Sequence, residues 1–191
     1  MSTIAVGRNG RRPKVANEEL GMLVFIVTEL MFFAALISAY LVIKASSLTY
    51  WVPPLDIRLP VLATGFNTAV LLTSGFVIYK SGGILETDRP RAIFWLQLGA
   101  MLGLFFVGFQ GYEWVQLISK GMTMTSGVFG ACFFLLIGSH GLHAMLSVLS
   151  LLWALWGLKR NKVTAAQYKA LRIFWYFVVG VWPVLYTLVY Y

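Results

Sequence analysis

The chain has 191 residues, of which 59% are hydrophobic and only 12% charged, with a formal net charge of +8. An average soluble domain is about 25% charged, so this composition cannot cover a surface in water, whereas lipid removes the need for one. The basic residues fall in short stretches between long apolar runs rather than on one face, which argues against nucleic-acid binding and for charges that orient a membrane protein.

A helix needs about 20 apolar residues to cross the hydrocarbon core. In chain order, the runs at 20–43, 59–79, 92–118, 127–158 and 171–190 qualify. They predict an all-α bundle of five transmembrane helices in a single membrane domain, residues 1–191, preceded by a basic segment over 1–17. The first run is too long for a signal-peptide core and no small-residue cleavage pattern ends it, so it is expected to stay in the mature protein. Asn17 followed by Glu18 and Glu19 predicts a helix start with acids in the first turn. Pro60 and Pro90 sit where a first-turn proline is tolerated, and Ser126 is a candidate cap for the fourth helix. That helix is long enough to tilt or to project from the bilayer. Thr164 and Gln167 have capping-box spacing, which puts an amphipathic turn ahead of the fifth span. Pro183 is expected to kink that span and to free a carbonyl one turn back.

Basic residues orient the bundle. Arg8, Arg11, Arg12 and Lys14, then Lys80, Arg89 and Arg91, then Lys159, Arg160, Lys162, Lys169 and Arg172 share the N-terminal side. Only Lys44, Arg58 and Lys120 fall on the other. The positive-inside rule therefore puts the N-terminus in the cytoplasm and the C-terminus outside, where Tyr190 and Tyr191 would suit an interfacial aromatic belt. No internal repeat is evident, against an inverted-repeat transporter.

The polar residues inside these spans are the candidates for function. Glu29 lies near the middle of the first span, with Phe33, Leu36 and Tyr40 on the same face. It reads either as a proton-exchanging or lipid-interacting carboxyl, or as a structural one hydrogen-bonded to a neighbouring helix. Gln110 and Glu113 stand one turn apart near the outer end of the third span, where Glu113 could snorkel to the interface in a structural role. Asn67, Thr68 and Ser74 on the second span are expected to hydrogen-bond between helices. His140 and His143 lie three apart on the fourth. They point the same way and cannot be opposite axial haem ligands, and no nearby cysteine or carboxylate completes a zinc site, so hydrogen-bonded interface histidines are the default. Two histidines are too few for a haem-copper centre, and the single Cys132 rules out paired-thiolate sites. No metal or catalytic residue is assigned. Gly99 and Gly103, with Gly138 and Gly141, form small patches suited to close helix approach.

These residues resemble a known family. GMLVFIVTELMFF at 21–33, FNTAVLLTSG at 66–75, QGYEWVQLISKG at 110–121 and GVFGACFFLLIGSHGLHAMLSVLSLL at 127–152 are similar, in order and spacing, to subunit III of the haem-copper terminal oxidases. The length resembles the shorter bacterial form with five helices. The resemblance implies a cofactor-free accessory subunit of the bacterial cytoplasmic membrane. Its expected partners are catalytic subunit I, subunit II and phospholipid, in a complex that could join a larger respiratory supercomplex. Haem and copper would lie in those partners, where oxygen is reduced and protons are pumped. Glu29 matches the family's buried carbodiimide-reactive glutamate, Glu113 its glutamate on the next-but-one helix, and His140 with His143 its HGxH pair. Lipid binding, support of proton uptake and protection of the catalytic subunit follow as expectations. One segment departs from the family: 174–182 reads FWYFVVGVW, with Tyr176 at a usual histidine and Val179 at a usual aspartate. A homologue associated with nitric oxide reductase and an independent transporter coupled through Glu29 are the alternatives.

Overall fold

The computed structural model describes residues 16–46, 51 and 60–190. Among these, all regular structure is helical: α1 (Asn17–Ser46), α2 (Val61–Ile84), α3 (Arg89–Ser119), α4 (Val128–Lys159) and α5 (Ala165–Tyr190). All five are long and apolar enough to cross a membrane. The basic residues Arg8, Arg11, Arg12, Lys14 and Arg58, the expected start of the second span at 59, and Tyr191 lie outside the described residues.

Local chemistry sets most of the boundaries. Glu18 and Glu19 occupy the first turn of α1, as expected, where they meet the positive end of its dipole. Asp88 caps α3 by accepting a hydrogen bond from the Arg91 amide at 3.1 Å, with Pro90 in the first turn. Thr164 and Gln167 form the expected reciprocal capping box, each side chain accepting from the other's amide at 3.1 Å. Ser126 does not cap α4. Its hydroxyl is taken up by Thr123, accepting from that residue's amide at 3.0 Å and donating to its carbonyl at 2.6 Å, so α4 starts after Gly127 with no side-chain cap. The amphipathic turn ahead of the fifth span is continuous with it, giving one helix that runs through Pro183. Proline has no N–H, so the Val179 carbonyl loses its helical donor.

Helices α2 and α3 pack most closely, and α5 lies against α1, α2 and α4. The buried face of α2 carries polar residues at helical spacing, Thr64, Asn67, Thr68, Ser74 and Ser81, with Leu71 and Ile78 between them. Three of its side chains donate to backbone carbonyls of α3. Asn67 Nδ2 donates to the Phe106 carbonyl at 3.1 Å, Ser74 to Gly99 at 2.9 Å and Ser81 to Ala92 at 2.7 Å. Thr68 turns to α5 instead, accepting from Trp182 Nε1 at 2.8 Å. The polar residues of the second span therefore bond between helices as expected.

Gly99 and Gly103 are contact points. A Cβ at Gly99 would come 2.5 Å from Ile78, and one at Gly103 2.7 Å from the Trp175 indole. Gly138 makes a looser contact, 3.1 Å to Trp114, while Gly141 faces open space, so its expected packing role is not met within this chain. Helix α1 is peripheral: only 6% of its most apolar stretch is buried in the chain, against 33–50% for the other four. Phe33 and Tyr40 are its buried residues, and Tyr40 donates weakly to the Leu188 carbonyl of α5 at 3.4 Å.

Candidate functional site, two polar clusters inside the bundle

The first cluster joins α1 to α4. Glu29 lies 12 residues into α1, about 18 Å along its axis. Its Oε2 stands 2.8 Å from His143 Nε2, and both side chains are largely buried. The other ring nitrogen, Nδ1, is 2.7 Å from the Ser139 carbonyl one turn back on α4. A carbonyl can only accept, so Nδ1 carries a proton. Nε2 then has two options: it accepts from a protonated Glu29, or it is itself protonated and donates to the carboxylate. A single proton moved between Oε2 and Nε2 interconverts a neutral pair and an ion pair without disturbing the Nδ1 bond. Phe33 meets the His143 ring edge-on at 5.2 Å, and Phe32 and Phe174 flank it at 6.1 and 6.5 Å. The pair is thus held in an aromatic, water-poor setting at mid-helix.

His140 does not join it. Its ring lies on the Trp182 indole at 4.9 Å, with Phe33 and Phe106 edge-on, and neither nitrogen has a hydrogen-bond partner among the described residues. It lines a cavity of about 310 Å³ between α3 and α4, together with Gln110, Trp114 and Gly141. The two histidines therefore do different things, although both belong to one motif. Among the described residues, no group of three His, Cys, Asp or Glu side chains is placed to hold a metal ion.

The second cluster sits towards the other end of the bundle. Glu113 does not snorkel to the interface. It is 5% exposed and turned inward. Its Oε2 accepts from Thr64 at 2.9 Å and from Gln110 Nε2 at 3.1 Å, and that amide also lies 3.4 Å from the Tyr190 hydroxyl. This arrangement ties α2 to α3 through the Glu113 carboxyl and α3 to α5 through the Gln110 amide. The reason is geometric: Thr64, in the first turn of α2, stands against the last turns of α3 and gives the carboxyl an inward donor. Replacing Thr64 by valine removes the hydroxyl but keeps the shape. The expected cost is about 1–2 kcal/mol, read as a lower unfolding midpoint in detergent, with serine at position 64 largely restoring it.

Thr64 and Tyr190 are members that sequence reasoning did not single out. Thr64 could have been found, since it continues the polar stripe of α2 by one turn. Tyr190, expected in an interfacial aromatic belt, is instead buried against Phe133 and Tyr186. At the family-divergent positions, Val179 packs against Gly75, where a Cβ would be 3.1 Å away, and Tyr176 lies beside the Arg172 guanidinium. A side chain larger than glycine at 75 and the shape of valine at 179 would compete for that space.

The family model for cytochrome c oxidase subunit III matches residues 10–191. The chain belongs to that family. It is similar to a probable cytochrome c oxidase subunit 3 of Mycobacterium leprae, 33% identical over 94% of this chain and 89% of the relative. Cytochrome c oxidase subunit 3 of Thermostichus vulcanus is 32% identical over 90% of this chain and 85% of its own length. That of Synechocystis is 33% identical over 89% and 73%. With five membrane-length helices and this membership, the chain is a multi-pass membrane protein and a subunit III of a haem-copper oxidase.

Proposed function

We propose that the chain acts as an accessory, non-catalytic subunit of a proton-pumping terminal oxidase. In that role it braces catalytic subunit I, associates with subunit II, holds phospholipid and supports proton uptake. The observation that carries this is the match to the subunit III family over almost the entire chain. The protein is read as a single domain of a bacterial cytoplasmic membrane with its N-terminus inside. The bias of basic residues and the bacterial relatives support that placement. Haem and copper belong to the partner subunits in this reading.

Glu29 and His143 are the residues proposed to matter for proton chemistry. Their shared hydrogen bond can hold or release one proton within the membrane. The Glu113 cluster is proposed as a structural tie. Continuous helicity of α1 from Asn17 to Ser46 speaks against a transporter, which would need a broken helix at its coupling carboxyl. The relatives reported above are oxidase subunits, which favours an oxidase over a nitric oxide reductase complex.

Two measurements test the proposal. Mass spectrometry of the complex purified through this chain should find haem-bearing catalytic subunits. A chain that purifies alone and moves a solute in liposomes would overturn the accessory role. In the assembled oxidase, Glu29→Gln should leave subunit stoichiometry intact and reduce turnover or its durability by less than about threefold, because glutamine can still donate to Nε2. Complete loss of oxygen reduction would instead make Glu29 an obligatory proton carrier.

A further inference from the structure

A second cavity, of about 400 Å³, lies at the end of the bundle that carries the start of α1, where α2 ends and α5 begins. It is lined by Tyr79, Lys80, Gly82, Gly83, Trp95 and Arg172, with Ile84 at its edge. Two of these groups are cations and none is a carboxylate. Of the other described cations on this end, Lys159, Arg160 and Lys162 do not line the cavity, and Arg160 and Lys162 stack on Trp156, while three more are engaged by oxygen acceptors. Lys169 is 2.7 Å from Glu19, Arg91 is 3.0 Å from Asp88, and Arg89 donates to the Leu158 carbonyl at 2.9 Å. Lys80 and Arg172 form no ion pair among the described residues.

Their surroundings hold them in place without neutralising them. The Lys80 ammonium lies over the rings of Phe76 and Trp95, at 4.7 and 5.4 Å. The Arg172 guanidinium sits over Tyr168 at 5.4 Å and Tyr176 at 5.9 Å. Its Nε is buried without a hydrogen-bond partner. The absence of a side chain at Gly82 makes this possible, because a Cβ there would fall on the guanidinium. A glycine thus leaves the space that a planar, five-donor cation fills beside a cavity, and tyrosine and tryptophan at its rim suit the headgroup level of a bilayer.

We infer that this cavity is a phosphate site, in which Arg172 and Lys80 hold the phosphodiester of an anionic phospholipid headgroup. Guanidinium and ammonium together supply charge-assisted donors to phosphate oxygens. Trp95 and Tyr79 flank the glycerol region, and the acyl chains leave along the exposed apolar faces of α2 and α3, past Phe76 and Phe94. Free inorganic phosphate has the same headgroup chemistry, but a site at the membrane interface, open to those apolar faces, favours the lipid. The inference rests on the proposed lipid-binding role and gives it a place that the position of Glu29 does not.

The test uses the oxidase complex in nanodiscs of phosphatidylcholine with one-fifth phosphatidylglycerol, from which it is released for native mass spectrometry. The wild type should retain phosphatidylglycerol on this subunit. In Arg172→Gln with Lys80→Gln, retention should fall about tenfold or more, the scale of losing one charge-assisted bond. Gly82→Ala keeps every charge but displaces the guanidinium, and should lower retention in the same direction. Lys169→Gln, which removes a cation already paired, should leave it unchanged. Unaltered retention in both the double variant and Gly82→Ala would overturn the site while leaving lipid binding elsewhere intact. No phospholipid on the wild-type subunit would sink the lipid-binding role itself. Protection of Lys80 from amine-reactive labelling by millimolar inorganic phosphate, without any by phosphatidylglycerol, would make the ligand free phosphate and overturn the lipid assignment.

Discussion

Gly103→Leu should prevent the subunit from being incorporated into its complex. In the native packing, a bare Cβ at position 103 already lies 2.7 Å from Trp175 Cη2 and 3.1 Å from Val148 Cγ2. Trp175 has no exposed surface and cannot rotate away, because it is enclosed by α5 and its neighbours. A leucine must therefore push α3 off α4 and α5 together. Overpacking usually costs about 1–3 kcal/mol. Here three helices share one contact, so the loss should reach or exceed the upper end. For a chain of this size each kcal/mol lowers the unfolding midpoint by about 2–4 °C. Gly103→Ala should give a smaller fall of the same sign. Gly108→Leu, on the same helix but with open space around it, should barely move the midpoint. Equal effects at 103 and 108 would show that steric closure at Trp175 is not what matters.

The second large effect concerns the Glu29–His143 pair. His143→Leu leaves a carboxyl inside the bundle with no strong partner, and Glu29→Leu leaves the imidazole Nε2 facing hydrocarbon. Removing one member of a buried pair costs about 3–5 kcal/mol, whereas replacing both by apolar groups of similar volume is often close to neutral. Each single leucine variant should therefore be markedly less stable than the double variant. The cycle should give a coupling close in size to the sum of the two single losses, measured by denaturant unfolding in detergent. Simple additivity would mean that the 2.8 Å contact contributes nothing. Oxygen turnover of the double variant separates the two roles of the pair. Restored stability with impaired or short-lived turnover points to proton chemistry, and full recovery of both to a purely structural bond.

The five helices were legible in the sequence because crossing a membrane needs only length and apolarity, and both are local properties. Starts were legible where side chain and backbone meet within four residues, as at Thr164 and Gln167. Ser126 failed because a second local partner, Thr123, was equally near and gave the hydroxyl both a donor and an acceptor. The polar stripe of α2 could be read from its spacing alone. What could not be read was helix rotation. Glu29 and His143 are 114 residues apart, and nothing local shows that His143 turns to α1 while His140, one turn away, turns to Trp182. The inward turn of Glu113 likewise depends on where α2 begins relative to the end of α3. Arg172 and Gly82 carry no joint signal in sequence at all, since a cation and a glycine 90 positions apart become a unit only after α5 packs on α2.

The neighbour relations of α1 set the order in which the protein can be completed. Its contacts are chiefly with α5, and with α4 to a lesser degree, so α1 has its main partner more than a hundred residues further along the chain. During synthesis, α1 must wait in lipid while more than a hundred residues are added, with Glu29 lacking His143 until the fourth helix arrives. The Lys169–Glu19 bridge and the Tyr40–Leu188 bond can form only once α5 has been made. A chain truncated before α5 would therefore hold α1 only through its smaller contact with α4 and the Glu29–His143 bond.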